Sequence, residues 1–216
     1  MSSELRINLK LVLILGAVAM ALVSGGCGLM EPKAERYVAP PVGTTWVTAI
    51  HSTGSYGSGS RQVPGKRGER MWQGSQVVTF DGALGTILAR PDGSWLGIYK
   101  GDQPIMTWDP PLTWEYPLEV GKTWSRQQQV TIHAAKRTIP YVVTQKVEAI
   151  EEVTVPAGTF KTFKISTVNT LGDDNLIWFS PELGIFVKQS NKRTAKHGQG
   201  PGTQSTELMS YTRGAQ

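Results

Sequence analysis

The side chains of this 216-residue chain that could do chemistry are few and scattered. His51, His133 and His197 are the only histidines, and no G-x-S-x-G elbow accompanies them, so no nucleophile–base pair is expected. Asp173-Asp174-Asn175 offers oxygen ligands, but it lacks the spacing of a calcium loop and reads as an Asx-type turn. Glu148, Glu151 and Glu152 cluster where a strand meets a turn, which reads as a solvated edge rather than the facing acids of a glycosidase. Gly54-Ser55-Tyr56-Gly57-Ser58-Gly59-Ser60 is glycine-rich, yet it has neither the lysine nor the following helix of a phosphate loop. The expectation is a protein that is not an enzyme, with no catalytic residue, no bound metal and no cofactor.

Two groups of residues are better suited to binding. One is basic: Lys66, Arg67 and Arg70 read as one loop, and Lys192, Arg193 and Lys196 as another. The other is aromatic. Trp108 and Trp114 bracket the proline-rich WDPPLTWEYP, with Tyr116 beside them, and exposed indoles stack on sugar rings or settle at lipid interfaces. With seven tryptophans in the chain, the competing explanation is that these rings fill a core.

Cys27 is the only cysteine, so no internal disulfide is available. Arg6 and Lys10 precede an apolar run, Leu11–Val23, which falls short of the roughly 20 residues needed to span a bilayer and has the length of a signal-peptide core. Ser24, Gly25 and Gly26 then lead into Cys27. This arrangement resembles the lipobox of bacterial lipoproteins. The resemblance implies removal of residues 1–26, acylation of Cys27 with palmitate-type chains, and an extracytoplasmic protein held at the membrane by its lipid. Ser24 departs from the leucine usual three positions before the cysteine. In a host with two membranes, Gly28 at the following position implies the outer one.

Behind these residues the chain is organised by strands. Residues 27–41 contain three prolines and little periodicity, and read as a tether. Residues 42–216 read as a single β-rich domain. Thr45–His51 is β-branched and aromatic, and Gly85–Arg90 and Trp95–Lys100 flank the turn Pro91-Asp92-Gly93-Ser94. Over Tyr141–Ile150 the alternation places Tyr141, Val143, Val147 and Ala149 on one face. Val155–Thr159 reads as a turn before a strand over Phe160–Thr170. Leu176–Ser180 and Ile185–Gln189 flank Pro181-Glu182-Leu183-Gly184, and Thr206–Tyr211 reads as the last strand. Val42-Gly43-Thr44-Thr45-Trp46 is echoed by Val120-Gly121-Lys122-Thr123-Trp124, which suggests two similar halves, about 42–115 and 116–216, in one sheet system. With 24 glycines, 13 prolines and no long apolar stripe at helical spacing, the expected fold is mainly β, an antiparallel sandwich or open (half-) barrel.

From Tyr116 to Lys188 the sequence runs YPLEVGKTW, VEAIEEVTVPAGTFKTFKI and WFSPELGIFVK. It resembles an uncharacterised module of bacterial secreted proteins and lipoproteins with VGxxW, VPAGTF and SPELG elements, which implies a β-rich envelope domain without implying a reaction. The net charge of +5 is a mild excess, compatible with anionic head groups or acidic glycans. In an exported protein it does not point to nucleic acid. The leading expectation is a membrane-anchored, non-catalytic binding or scaffold module that meets an envelope protein, glycan or lipid. The alternatives are a lipid or lipoprotein carrier, with an apolar trough lined by residues such as Trp95, Ile98, Phe163 and Ile165, and a cell-wall hydrolase.

Overall fold

The computed structural model describes residues 32–215, so the signal-peptide and Cys27 expectations lie outside the described residues. Twelve strands follow one another: β1 (Thr45–Gly54), β2 (Gly59–Trp72), β3 (Ser75–Gly82), β4 (Gly85–Ala89), β5 (Trp95–Lys100), β6 (Gln103–Leu112), β7 (Thr123–Ile132), β8 (Arg137–Val155), β9 (Gly158–Asn169), β10 (Asp173–Ser180), β11 (Ile185–Arg193) and β12 (Gly202–Thr212). Each pairs antiparallel with the next, and β12 returns to pair with β1 along its whole length. The fold is therefore mainly β and antiparallel, as expected. It differs from the expected sandwich or half-barrel in being closed, because the β1–β12 ladder uses the backbone groups that two free edges would have left unpaired.

Alternation along the strands decides what enters the lumen. On β8, Tyr141, Val143, Gln145 and Val147 are buried while Lys146 and Glu148 are exposed. The alternation expected from the sequence fails after that point. A bulge between Val147 and Ala149 puts Ala149 opposite Lys164 and Ile150 opposite Phe163, so Ala149 leaves the face it was expected to share. The lumen core joins Trp124, Val147, Phe163, Ile165 and Phe179. Beyond the bulge, the long β8–β9 hairpin reaches across β10–β12. There Val155 and Phe160 pack with Trp178, Leu183, Ile185, Val187 and Leu208, and the Ala157 N–H donates to the Leu208 carbonyl.

The echoed pentapeptides form two corners with the same backbone. Gly43 and Gly121 adopt φ of 81° and 86°, a region open to glycine at little cost. The Gly43 N–H donates to the Arg67 carbonyl at 2.9 Å and the Arg67 N–H to the Thr44 carbonyl at 2.8 Å. Likewise, the Gly121 N–H donates to the Val147 carbonyl and the Val147 N–H to the Lys122 carbonyl, both at 2.9 Å. Each corner then launches a strand, β1 or β7, whose second residue is a tryptophan.

The part of the expected tether that is described lies on the domain as a strap. Ala34 and Leu118 exchange two backbone hydrogen bonds, of 3.1 and 2.8 Å, and both side chains are buried. Tyr37 packs on Phe179 and its hydroxyl donates to the Gly184 carbonyl at 3.1 Å. The proline content that suggested a free linker also suits an extended segment lying on a surface, and Ala34 and Tyr37 supply the apolar contacts that hold it there.

Candidate functional site

At the strap end of the barrel an open cleft of about 540 Å³ lies between the strap, the β4–β5 turn and the irregular segment between β6 and β7. Arg36, Tyr37 and Val38 form one wall, Pro91 and Asp92 another, and Thr113, Trp114 and Tyr116 the third. The proline-rich stretch keeps Thr113–Pro117 out of regular pairing, so Trp114 and Tyr116 are free to face the strap. At Gly93 a Cβ would come within 2.7 Å of the Tyr37 ring, so the glycine lets the turn approach the strap.

The cleft rings are fixed from behind. Trp114 meets Phe179 edge-on at 5.1 Å and tilts over Phe186 at 5.6 Å. Phe186 continues to Trp95 at 6.1 Å, and Trp95 to Trp108 at 6.3 Å. An unbroken aromatic row thus runs from the cleft into the barrel, and each contact limits how far the cleft rings can turn. Burial pushes the Tyr37 and Tyr116 phenols well above their ordinary range. Both therefore stay neutral donors. Such a cleft offers rigid ring faces and their phenols, edged by the Arg36 guanidinium, the Asp92 carboxylate and the Thr113 hydroxyl, which is binding chemistry.

The structure distributes the expected site residues unevenly. Trp114 and Tyr116 line the cleft. Trp108 does not: it sits on β6 opposite Val130 and packs with the cluster of Val130, Tyr141 and Val143. Lys66, Arg67 and Arg70 are not in a loop but on β2, where Lys66 is exposed, Arg67 is buried, and Arg70 pairs with Asp102 at 2.8 Å and lies over the Trp72 ring. Lys192 and Arg193 end β11. Arg193 covers the Tyr56 ring at 3.9 Å and donates to the Ser55 carbonyl at 2.9 Å. Through the registers with β1, Lys66 pairs at Thr45, while Arg193 pairs at Gly202, itself opposite Gly54. The two basic groups are thus a full strand apart, roughly 30 Å at about 3.3 Å per residue.

The residues expected to line a trough are packed instead. Ile98, Phe163 and Ile165 are 8%, 3% and 0% exposed, and Trp95 belongs to the aromatic row. The strap residues Arg36, Tyr37 and Val38 are the part of the cleft that sequence reasoning missed. The Tyr37-Val38 pair within a proline-bounded stretch was the available signal.

The histidines stand apart from the cleft: His51 meets the Ser60 hydroxyl at 2.9 Å, His133 meets Thr107 at 3.0 Å, and His197 lies 3.8 Å from Asp173. Asp173 also accepts from Asn169, and Asn175 accepts from the Lys192 N–H.

No protein-family model matches the chain, and comparison with curated proteins finds no relative. Among solved structures, it is similar to a protein from Bacteroides fragilis provisionally described as exported, with a YmcC-like fold; the identity is 12%, the TM-score 0.49, and the match covers 83% of this chain and all of that one, 100%. A provisionally described lipoprotein from Parabacteroides distasonis is 12% identical, with a TM-score of 0.43 over 84% of this chain and 100% of that one. The hypothetical lipoprotein YmcC from Escherichia coli is 8% identical, with a TM-score of 0.37 over 81% of this chain and 85% of that one. These are likenesses in the path of the chain.

Proposed function

We propose that this protein is a lipid-anchored, non-catalytic module of the bacterial cell envelope that holds a partner in the aromatic cleft at its strap end. The observation that carries the reading is the cleft itself: three aromatic side chains held by core packing, opened to solvent and edged by Arg36, Asp92 and Thr113. Anchoring rests on the sequence before the described residues, where an apolar run of signal-peptide length leads through Ser24-Gly25-Gly26 to Cys27.

A photo-reactive residue at Thr113 should capture a partner in intact envelopes, while the same residue at exposed Leu84, in the turn between β3 and β4, should not. Equal capture at both positions, or capture at Leu84 alone, removes the cleft from the proposal. For the anchor, Cys27→Ala should abolish acyl labelling and release the protein from membranes. Unlabelled protein that stays membrane-bound contradicts a lipoprotein.

A further inference from the structure

The equivalence of the two corners singles out one residue outside the cleft. Arg67 exchanges with Gly43 and Thr44 the same two backbone hydrogen bonds that Val147 exchanges with Gly121 and Lys122. Val147 is 0% exposed in an apolar core, as a lumen position should be, yet Arg67 brings a guanidinium to the corresponding place and is itself only 5% exposed. A buried ion persists where its hydrogen-bonding capacity is met. Of its five N–H groups, Arg67 spends one on Glu69 Oε1, through Nη2 at 2.6 Å. Nε and Nη1 are buried and have no partner among the described residues.

Two residues before Arg67 the Trp46 indole lies over Gly65, and Phe80 is the cross-strand neighbour of Arg67, so the groups on these sides are rings rather than acceptors. The strap runs directly into the corner that Arg67 is bonded to, where the Thr44 N–H and hydroxyl both donate to the Pro41 carbonyl, at 3.2 and 2.7 Å. The Tyr37 phenol, pushed up by burial, is drawn partly back by the Arg67 charge. Besides the packing of Ala34 and Tyr37 on the core, the strap is held by the Ala34–Leu118 bridge, the Tyr37–Gly184 hydrogen bond and an exposed Lys33–Glu119 pair.

We propose that Arg67 receives an oxyanion, a carboxylate or phosphate group, at the strap end of the lumen, and that the strap is the lid over it. The planar guanidinium presents Nη1 and the remaining Nη2 proton end-on to such a group, while Glu69, which also accepts from Gln76, stays on the solvent side. The site is distinct from the cleft, although both share Tyr37.

The test is calorimetric titration of the full chain in a neutral detergent, once with inorganic phosphate and once with phosphatidylglycerol doped into the same detergent. Tyr37→Phe removes one of the bonds that hold the strap and keeps the ring, so binding should tighten about fivefold, because apparent affinity scales with the open fraction. Arg67→Met should abolish binding in either background and raise Tm. Arg67→Lys, which keeps the charge without the fork, should bind measurably but more weakly, and it keeps the test valid if Arg67→Met fails to fold. A response to both titrants assigns free oxyanions, and a response to the lipid alone assigns a headgroup. No heat from either titrant in the Tyr37→Phe chain, or binding undiminished in both Arg67 variants, overturns the proposal.

Discussion

The corners at Gly43 and Gly121 share a backbone and differ in everything the backbone holds. At the second, Trp124 is 5% exposed, its indole N–H donates to Gln145 Oε1 at 3.1 Å, and Gln145 passes a hydrogen bond to Thr167. Val147, Phe163 and Ile165 close around it. At the first, Trp46 is only partly buried, its cross-strand neighbour is Gly65 rather than a glutamine, and Arg67 stands where Val147 would be. One corner is finished as core. The other keeps a charge and a partly exposed indole in the same frame, which shows that the frame is set by two glycines and a ladder rather than by the side chains that fill it.

Exchanging features between the corners tests how far they are equivalent. The largest effect should come from Val147→Arg, which places an unpaired charge in the finished corner and should cost about 3–5 kcal/mol in urea unfolding. A loss below about 1 kcal/mol would mean that this corner is as permissive as the first. Gln145→Leu leaves the Trp124 N–H without its acceptor and should cost about 1–3 kcal/mol, with Trp124 emission shifted. Gly65→Ala puts a Cβ 2.1 Å from the Trp46 indole nitrogen. It should cost a similar, about 1–3 kcal/mol, and expose Trp46 to acrylamide quenching.

Gly43→Ala and Gly121→Ala meet no atom within 4 Å and pay only for the positive φ. They should lose about 1 kcal/mol each, and unequal losses would break the backbone equivalence. The smallest effect concerns pH. The Arg67 hydrogen bond, aided by its charge and by Gln76, holds the Glu69 carboxyl below its ordinary 4.5. Its folded pKa is depressed, so its contribution is present above 4.5 and fades as pH falls through the lowered value. Glu69→Gln should flatten that part of the acid limb and lower stability slightly at pH 7, where the contribution is fully present, converging with the parent chain at low pH.

What the sequence made legible follows from where pairing is local. The β4–β5 and β10–β11 hairpins carry their turns in plain view, Pro91–Ser94 and Pro181–Gly184, and both lie where expected. β2 was hidden. Pro64 sits inside it opposite Val47, and the missing side chain of Gly65 is explained only by Trp46, far away in sequence. Those two residues made Lys66, Arg67 and Arg70 look like a loop. Closure was equally illegible, because the β1–β12 ladder joins the two ends of the domain and neither strand announces its partner. Of the cleft, Trp114 and Tyr116 could be named in advance. The strap wall could not, since the Tyr37-Val38 pair signals an apolar contact without showing that the contact is Phe179.

The strap also sets the mechanics of the domain. A pull on the chain from its N-terminal side meets the exposed Lys33–Glu119 pair and the two Ala34–Leu118 hydrogen bonds, then the Tyr37 ring and its single bond to Gly184, and reaches β1 only past Gly43. Those attachments are loaded one after another, as in peeling tape. The β1–β2 and β1–β12 ladders run along the strand and resist in parallel, as in shear. The barrel is thus insulated by a weak fuse: drag on the chain would lift Tyr37 and open the cleft wall before any barrel strand yielded.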